Sequence, residues 1–274
     1  MADLESQVRE LWDRRDSVGP DDTEAVGIVH AAIELLDRGE ARVAELDAAG
    51  EPVVNEWLKL AILLLFRVSA LKTEEVGPFE FVDRLPLKRD YQAAGVRVVP
   101  GASARWGSHL EPGVIMMPSY VNIGARVGSG TMVDTWATVG SCAQVGRNTH
   151  LSGGVGIGGV LEPPQATPVF VGDDCYIGSR CIVAEGARVG DGVVLGAGCI
   201  LTATIPVIDA ETGGEISRGV VPGWCVAVSA TRPRVYPGGE FGLPCVLVVR
   251  RLEPGVRHDK SQLNDILRQH GGTL

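Results

Sequence analysis

The chain has 274 residues, of which 45% are hydrophobic, 22% are charged and only 5% are aromatic. This length can bury one large core or two modest ones, and the net charge of −9 argues against nucleic acid or an anionic membrane surface as a partner. The six cysteines include no CxxC pair, and we expect neither a secretory leader nor a membrane-spanning segment. These features argue against a disulfide scaffold and predict a cytoplasmic protein.

The N-terminal part of the chain, 1–100, is predicted to form a helical domain. Three segments have apolar residues at helical spacing, and the second begins with a capping signal at Pro20-Asp21-Asp22 and ends at Gly39. The third, NEWLKLAILLLFRVSA, has Asn55 as its predicted N-cap and is apolar on almost all sides, so we expect it to be buried. Prolines punctuate the stretch 77–100, which is predicted to be irregular.

Beyond residue 100 the sequence repeats with a period of six, which is typical of a parallel β-helix. In that fold each six-residue repeat supplies one short strand and one turn, and three repeats close one triangular coil. A compact residue follows each aliphatic one by four positions, and glycine mostly follows it directly, where a tight corner favours glycine. We therefore expect the aliphatic residues to point inward over about five coils. The aliphatic positions are Ile115, Val121, Val127, Val133, Val139, Val145, Leu151 and Ile157, then Val171, Ile177, Val183, Val189, Leu195 and Leu201.

Two segments break this period and are predicted to leave the β-helix as loops. The two aliphatic series are separated by two residues more than two whole repeats, so a loop is expected near 159–169. A second loop is expected near 206–219. The glycine-rich run HLSGGVGIGG, 150–159, keeps the six-residue register up to Ile157. It is therefore predicted to be a turn of the β-helix and not a phosphate-binding loop.

The last part of the chain contains two apolar strands, CVAVSA and CVLVVRRL, and a short amphipathic helix, KSQLNDILRQH. The expected fold class is thus mainly β. A parallel β-helix over 101–230 follows the α-helical N-terminal domain and precedes a small C-terminal segment of strands and a helix over 231–274.

A longer signature lies within the repeats, MPSYVNIGARVGSGTMVDTWATVGSCAQVGRNTHLSGGVGIGGVLEPPQA at 117–166. It closely resembles the 2,3,4,5-tetrahydropyridine-2,6-dicarboxylate N-succinyltransferase family of hexapeptide-repeat acyltransferases. The similarity extends over nearly the whole chain and includes LKLAILLLFRV and VPGW. The resemblance implies a left-handed parallel β-helix and a homotrimer with its sites between subunits.

The same resemblance implies the activity. A succinyl group would pass from succinyl-CoA to the amine of ring-opened tetrahydrodipicolinate, giving N-succinyl-2-amino-6-oxopimelate and CoA in lysine and diaminopimelate biosynthesis. Succinyl-CoA would be a co-substrate, and no permanently bound cofactor, metal or covalent enzyme intermediate is expected.

Asp134 is the strongest candidate catalytic residue. It stands where most repeats carry glycine, so its side chain is predicted to face outward, and the family's substrate-binding aspartate maps to this position. Arg97 matches the family's substrate-binding arginine and would hold a carboxylate of the acceptor. A second catalytic carboxylate is implied by the family segment S-E-V-V-E-G, which reads CIVAEG here. Ile182 replaces its first glutamate, and Glu185 matches the second and is a candidate.

The acyl-donor side is predicted by analogy. Ser141 and the backbone amides of Gly158 and Gly159 would line the acyl site, and Glu162 is another outward carboxylate near it. Basic residues after the second predicted loop would bind the phosphates of CoA, although a solvated surface explains each of them equally well. These are Arg218, Arg232 and Arg234.

Three alternative functions would place different demands on the sequence. A different hexapeptide acyl-CoA transferase would use His150 as its base. A γ-class carbonic anhydrase would need three zinc-binding histidines, but the repeats contain only His109 and His150. A non-catalytic assembly module would lack outward charged clusters, and Asp134 and Arg97 argue against it.

Overall fold

The computed structural model describes residues 2–255 and 260–273, and most of its regular elements are β-strands. The helices are α1 (Ala2–Asp13), α2 (Thr23–Asp37), α3 (Glu56–Val68) and α4 (Lys260–Gln269), with a single 3₁₀ turn at Arg15–Ser17. In the described ranges no helix has the length and apolar character that crossing a membrane requires.

The first three helices pack on one another, as the sequence predicts, and α3 is buried on nearly all sides. The Asp22 carboxylate accepts a hydrogen bond from the Ala25 amide at 3.0 Å, which caps α2. Asn55 does occupy the N-cap position of α3, but its side chain makes no capping bond there. Its amide group instead donates to the Arg42 carbonyl oxygen at 2.7 Å and so ties the chain that follows α2 to the start of α3.

Two antiparallel hairpins in this part of the chain were not predicted, and the second extends into the stretch 77–100 that was expected to be irregular. One pairs Ala44–Leu46 with Pro52–Val54. The other pairs Lys72–Val76 with Phe79–Asp83, and every residue of its strands is exposed. Exposed strands carry no inward and outward alternation, so the sequence pattern gave no signal for the second hairpin.

The repeats form a triangular prism of parallel two-residue strands, a left-handed β-helix, with three faces defined here by their strands. Face 1 contains His109–Leu110, Arg126–Val127, Gln144–Val145, Phe170–Val171, Arg188–Val189 and Val220–Val221. Face 2 contains Arg97–Val98, Ile115–Met116, Met132–Val133, His150–Leu151, Tyr176–Ile177 and Val194–Leu195. Face 3 contains Ser103–Ala104, Tyr120–Val121, Thr138–Val139, Gly156–Ile157, Ile182–Val183 and Ile200–Leu201.

The second residue of each prism strand from 103 to 201 points inward and is buried, so aliphatic side chains fill the prism. One predicted inward residue is wrong. Ile115 points outward and is half-buried, and Met116 takes the inward place between Val98 and Val133. The turn between Met116 and Val121 is one residue shorter than the others, which shifts the register at the first coils. From Val121 onward the predicted register holds.

At the upper end of the prism, which is its C-terminal end, the structure differs from the predicted second loop. Residues 206–219 contain an antiparallel hairpin, Pro206–Asp209 with Glu215–Arg218. A longer hairpin, Cys225–Tyr236 with Gly239–Arg251, continues face 2. Helix α4 packs on that face through an apolar cluster that includes Val194 and Val226.

The cysteines are free and buried, as expected for three of them. Cys175, Cys181 and Cys199 fill inward positions of the prism. Cys142 has a different place, because it belongs to the core that the prism shares with the N-terminal helices.

The filled prism predicts that substitutions at two isoleucines differ in their effect on the free energy of unfolding. Ile177→Ala removes a fully buried side chain from the interior and should lower the free energy of unfolding by about 2–5 kcal/mol. Ile216→Ala, at a side chain that is 39% exposed, should change it by less than about 0.5 kcal/mol. Urea unfolding followed by circular dichroism measures both values, and equal losses would contradict the interior packing.

Candidate active site

Asp134 lies at the corner where the chain turns from face 2 to face 3, immediately after the strand Met132–Val133. Its Oδ1 accepts hydrogen bonds from the Thr135 amide at 2.6 Å and from the Thr135 hydroxyl at 3.2 Å. The carboxylate is about one third exposed. It is therefore held in one orientation while still open to a ligand.

His150 lies on face 2, one coil above Met132. Its Nε2 donates to Asp134 Oδ2 at 3.3 Å. The imidazole stacks on the Tyr176 ring of the next coil, with centroids 4.9 Å apart and planes 14° apart. The histidine thus positions the aspartate and is itself positioned by the tyrosine.

The surroundings of Asp134 set its charge. Partial burial raises the pKa of its carboxyl group, but the hydrogen bonds from Thr135 and His150 outweigh burial and hold the pKa below the usual 3.8. The carboxylate is consequently ionised at neutral pH. Each of its oxygens can accept more than one hydrogen bond, so it can still receive an N–H group from a ligand.

Arg97 lies on the same face as His150. It starts the first strand of face 2, where it pairs with Ile115, and Ile115 pairs in turn with Met132. Two strand spacings, about 10 Å, therefore separate Arg97 from the coil that leads to Asp134. The exposed Arg97 and the Asp134 carboxylate offer opposite charges along one side of the prism.

A second group of predicted site residues, apart from Asp134 and Arg97, lies at the corner between face 3 and face 1. Ser141 stands next to the segment Gly158–Gly159, where the chain leaves the prism, and its carbonyl oxygen accepts from the Val160 amide at 3.1 Å. A Cβ atom at Gly140 would overlap the Gly159 amide nitrogen. Glycine at 140 therefore lets the departing loop lie directly against the coil below.

Glu185 lies at the same corner, one coil above Gly158 and Gly159. It is exposed, and its φ of +57° is followed by +73° at Gly186. An ideal Cβ at Gly186 would lie 2.6 Å from the Thr167 carbonyl oxygen, so the end of the predicted loop rests on this turn. Ile182 projects outward on face 3 and is 44% exposed. The replaced family glutamate would thus have lain on the surface. Glu162 is an exposed residue of the loop.

A third group lies at the upper end of the prism. The side chains of Arg218, Arg232 and Arg234 line one cavity of about 460 Å³. Glu215 pairs with Arg218 at 2.8 Å and lies 3.8 Å from Arg232. Within the described part of the chain, three guanidinium groups thus face one carboxylate across this cavity, which leaves it a net positive charge.

The predicted residues therefore form three separate groups in one chain. Sequence reasoning missed Tyr176, which supports His150, and Trp136, which follows Asp134 by two positions. Trp136 is 72% exposed and has a φ of +60°, an unusual backbone conformation for a bulky residue. The prism's two histidines do not converge within the chain, because His109 lies on face 1 and donates through Nδ1 to the Asp37 carbonyl oxygen at 3.0 Å.

The chain is similar to known proteins over nearly its whole length. A family model described as the N-terminal part of tetrahydrodipicolinate N-succinyltransferase matches residues 3–68, and one described as the hexapeptide repeat of succinyl-transferase matches 168–203. A 2,3,4,5-tetrahydropyridine-2,6-dicarboxylate N-succinyltransferase of Paramagnetospirillum magneticum is 47% identical, over 97% of this chain and 99% of that protein. The chain belongs to this N-succinyltransferase family.

Other members of the family are similar over the same span. The Caulobacter vibrioides enzyme of the same name is 45% identical over 98% of this chain and all of that protein. The Dechloromonas aromatica enzyme is 42% identical over 97% of this chain and 98% of that protein. Because these alignments span nearly the whole of each relative, the similarity includes both the N-terminal helices and the prism.

A solved structure supports the fold alone. A Campylobacter jejuni protein described as a 2,3,4,5-tetrahydropyridine-2-carboxylate N-succinyltransferase superposes with a TM-score of 0.51 and 21% identity. The match covers 81% of this chain and 62% of that one.

The hydrogen bonds that Asp134 accepts from Thr135 predict how the pKa of its carboxyl group responds to mutation. In Thr135→Val the hydroxyl donor is lost, so the pKa of Asp134 should rise toward 3.8, as followed by the chemical shift of its carboxyl carbon during an acid titration. A carboxyl group with a lowered pKa adds stability above pH 3.8, and this contribution disappears as the pH falls through the lower folded value. Thr138→Val, on the exposed face 3, should leave the pKa unchanged. An unchanged pKa in Thr135→Val would contradict the assignment.

Proposed function

We propose that this protein transfers the succinyl group of succinyl-CoA to the amine of ring-opened tetrahydrodipicolinate, L-2-amino-6-oxopimelate. The products are N-succinyl-2-amino-6-oxopimelate and CoA, which places the reaction in lysine and diaminopimelate biosynthesis in the cytoplasm. The observation that carries the proposal is the ionised, oriented Asp134 carboxylate in a chain that is 42–47% identical to named N-succinyltransferases over nearly its whole length.

The acceptor fits the outer side of face 2. Its amine arrives largely as an ammonium ion at neutral pH, and Asp134 offers an ionised oxygen to that cation. Arg97 offers a forked donor to one of the two carboxylates of the acceptor. Since the pKa of Asp134 is low, this residue suits the binding and orientation of the ammonium ion better than strong base catalysis.

The chemical step is direct acyl transfer. The deprotonated amine attacks the thioester carbonyl, an N–C bond forms, and the C–S bond to CoA breaks. The ammonium ion loses its first proton to water before the attack, and the second leaves the attacking nitrogen through water held by Asp134, while the thiolate of CoA takes up one proton from water. The backbone amide of Gly159 is the proposed donor to the oxyanion that forms on the carbonyl oxygen. The predicted second donor, the Gly158 amide, is wrong, because it already donates to the Val183 carbonyl oxygen at 2.8 Å within the prism.

Glu185 is proposed as the second carboxylate of the site. It lies with Ser141 and the loop at the corner between face 3 and face 1, and its exposure leaves it accessible to a ligand. Its position differs by three residues from that of the glutamate that Ile182 replaces.

The proposed binding site for CoA uses the positive cavity of Arg218, Arg232 and Arg234. Its volume of about 460 Å³ suits a phosphate-bearing portion of the cofactor, and the three guanidinium groups suit its anionic oxygens. Succinyl-CoA acts as a co-substrate, and the proposed chemistry requires no permanently bound cofactor and no metal ion.

The proposed assembly is a homotrimer with sites between subunits. Exposed apolar side chains at and beside face 3 support this proposal, namely Trp136, Ile182 and Ile200, which are 72%, 44% and 47% exposed. The Asp134 corner and the loop corner lie at opposite edges of face 3. Asp134 of one copy, which binds the acceptor, would therefore meet the loop and the arginine cavity of its neighbour.

An assay of thiol release tests the function directly. Purified protein with succinyl-CoA and tetrahydrodipicolinate should release CoA and form an equal amount of the N-succinyl product, whereas acetyl-CoA should be a poor donor. Release with acetyl-CoA and none with succinyl-CoA would instead support a different acyltransferase that uses His150 as its base.

Asp134→Asn tests the central residue of the proposed site. The amide keeps the shape and an acceptor for Thr135 but removes the negative charge, so kcat/KM should fall by about 100-fold or more. The matched control is Asp174→Asn, an exposed aspartate at another corner of the prism, whose φ of +56° asparagine also tolerates. Full activity in Asp134→Asn would show that this carboxylate is not required.

A further inference from the structure

Lys59 is a buried cation that the proposed chemistry does not use. It lies on α3 and is 0% exposed, among apolar neighbours of the N-terminal core such as Leu58 and Ile62. Among the described residues, no carboxylate lies within ion-pair distance of its Nζ atom. Burial lowers the pKa of this amine, while the more distant Glu56 acts in the opposite direction. A methionine would fill the same space without desolvating a charge.

The hydrogen bonds of Lys59 reach a distant part of the chain. Its Nζ donates to the Ala166 carbonyl oxygen at 2.8 Å and to the Pro163 carbonyl oxygen at 3.3 Å. Both oxygens belong to the loop between the strands Gly156–Ile157 and Phe170–Val171. The Pro163 oxygen also accepts from the Ala166 amide at 2.9 Å, so the ammonium group closes onto one tight turn of this loop.

The loop is fixed at three points, and Lys59 supplies the central one. At its start the Val160 amide donates to the Ser141 carbonyl oxygen at 3.1 Å. At its end the Thr167 carbonyl oxygen lies against Gly186. Between these points, Leu161 packs on the helical core, and Lys59 provides the charged hydrogen bonds. A change at Lys59 would therefore reach the backbone on both sides of the turn.

The neighbouring thiol does not neutralise the lysine. Cys142 lies in the same core, and burial raises the pKa of its thiol to about 12, although the charge of Lys59 acts to lower it. The thiol is thus uncharged at neutral pH. The positive charge of Lys59 is balanced by the two carbonyl dipoles of the loop, which makes those bonds its main polar interactions.

We infer that Lys59 is a positioning residue for the acyl-donor side of the site. It holds the loop 158–169 in a set conformation before succinyl-CoA binds, and through the loop it orients Gly158, Gly159 and the turn at Glu185. This inference rests on the proposed function, in which that corner receives the thioester. It also gives the N-terminal helices a part in donor binding, although they lie outside the prism.

Lys59→Met tests this role, with Lys88→Met as the matched control. Lys88 is also a buried lysine, but it pairs with Asp37 at 2.8 Å, away from the loop. Lys59→Met should raise the KM for succinyl-CoA about tenfold and leave the KM for tetrahydrodipicolinate unchanged. Lys88→Met should change neither KM, even where it lowers the melting temperature. An unchanged KM for succinyl-CoA in Lys59→Met would overturn the inference.

Hydrogen exchange of the ligand-free protein gives an independent test that does not depend on catalytic activity, and its wild-type arm does not require the variant to fold. The Val160 and Ala166 amides should exchange as slowly as amides in the prism turns, and about tenfold faster or more in Lys59→Met. Exchange at the rate of an unprotected peptide in the wild-type protein would overturn the inference. Absence of succinyl transfer by the wild-type protein would instead contradict the proposed function, while the exchange result would still decide whether Lys59 holds the loop.

Discussion

The filled interior of the prism is the constraint on which the rest of the structure depends. Each two-residue strand directs one side chain inward, and those side chains pack into a continuous aliphatic column. This column has no space for a substrate, so chemistry is restricted to outward residues, corners and loops. Asp134, the segment Gly158–Gly159 and Glu185 all lie at corners, where a position can change without disturbing the column. A ligand that needs to be enclosed must then be enclosed between prisms, which is why we propose sites shared by neighbouring subunits.

The N-terminal helices complete this arrangement at one edge of the prism. Helix α3 packs under the corner between face 3 and face 1, where Ile62 lies against Gly124 and Lys59 reaches the loop. The loop interrupts the repeats, so no strand ladder stabilises it, and its backbone oxygens need donors from elsewhere. A buried ammonium group meets that need. The helical domain and the loop corner of the prism are thereby joined through a few polar contacts and a shared apolar core.

The six-residue period was sufficient to predict the prism, its inward residues from Val121 onward and the departure of the chain near Gly159. The phase at Ile115 was wrong, because a turn shortened by one residue is invisible until strand partners are known. Asp134 could be predicted because it replaces a glycine of the repeat. The support of His150 by Tyr176 and the contacts of Lys59 could not. Both depend on residues brought together across an irregular insertion or from another domain, and no local pattern records such pairs.

Hybrid assemblies test the central claim, that the site is shared between copies of the chain. Asp134→Asn and a double variant, Arg218→Gln with Arg232→Gln, are expressed together in equal amounts and assayed with succinyl-CoA far below its KM. Each variant alone is nearly inactive. If a site takes Asp134 from one subunit and its arginines from the next, each contribution is intact in half of the subunits, so random mixing restores about one quarter of the wild-type sites. Activity no higher than the mean of the two separate variants would contradict the account and place the whole site within one chain.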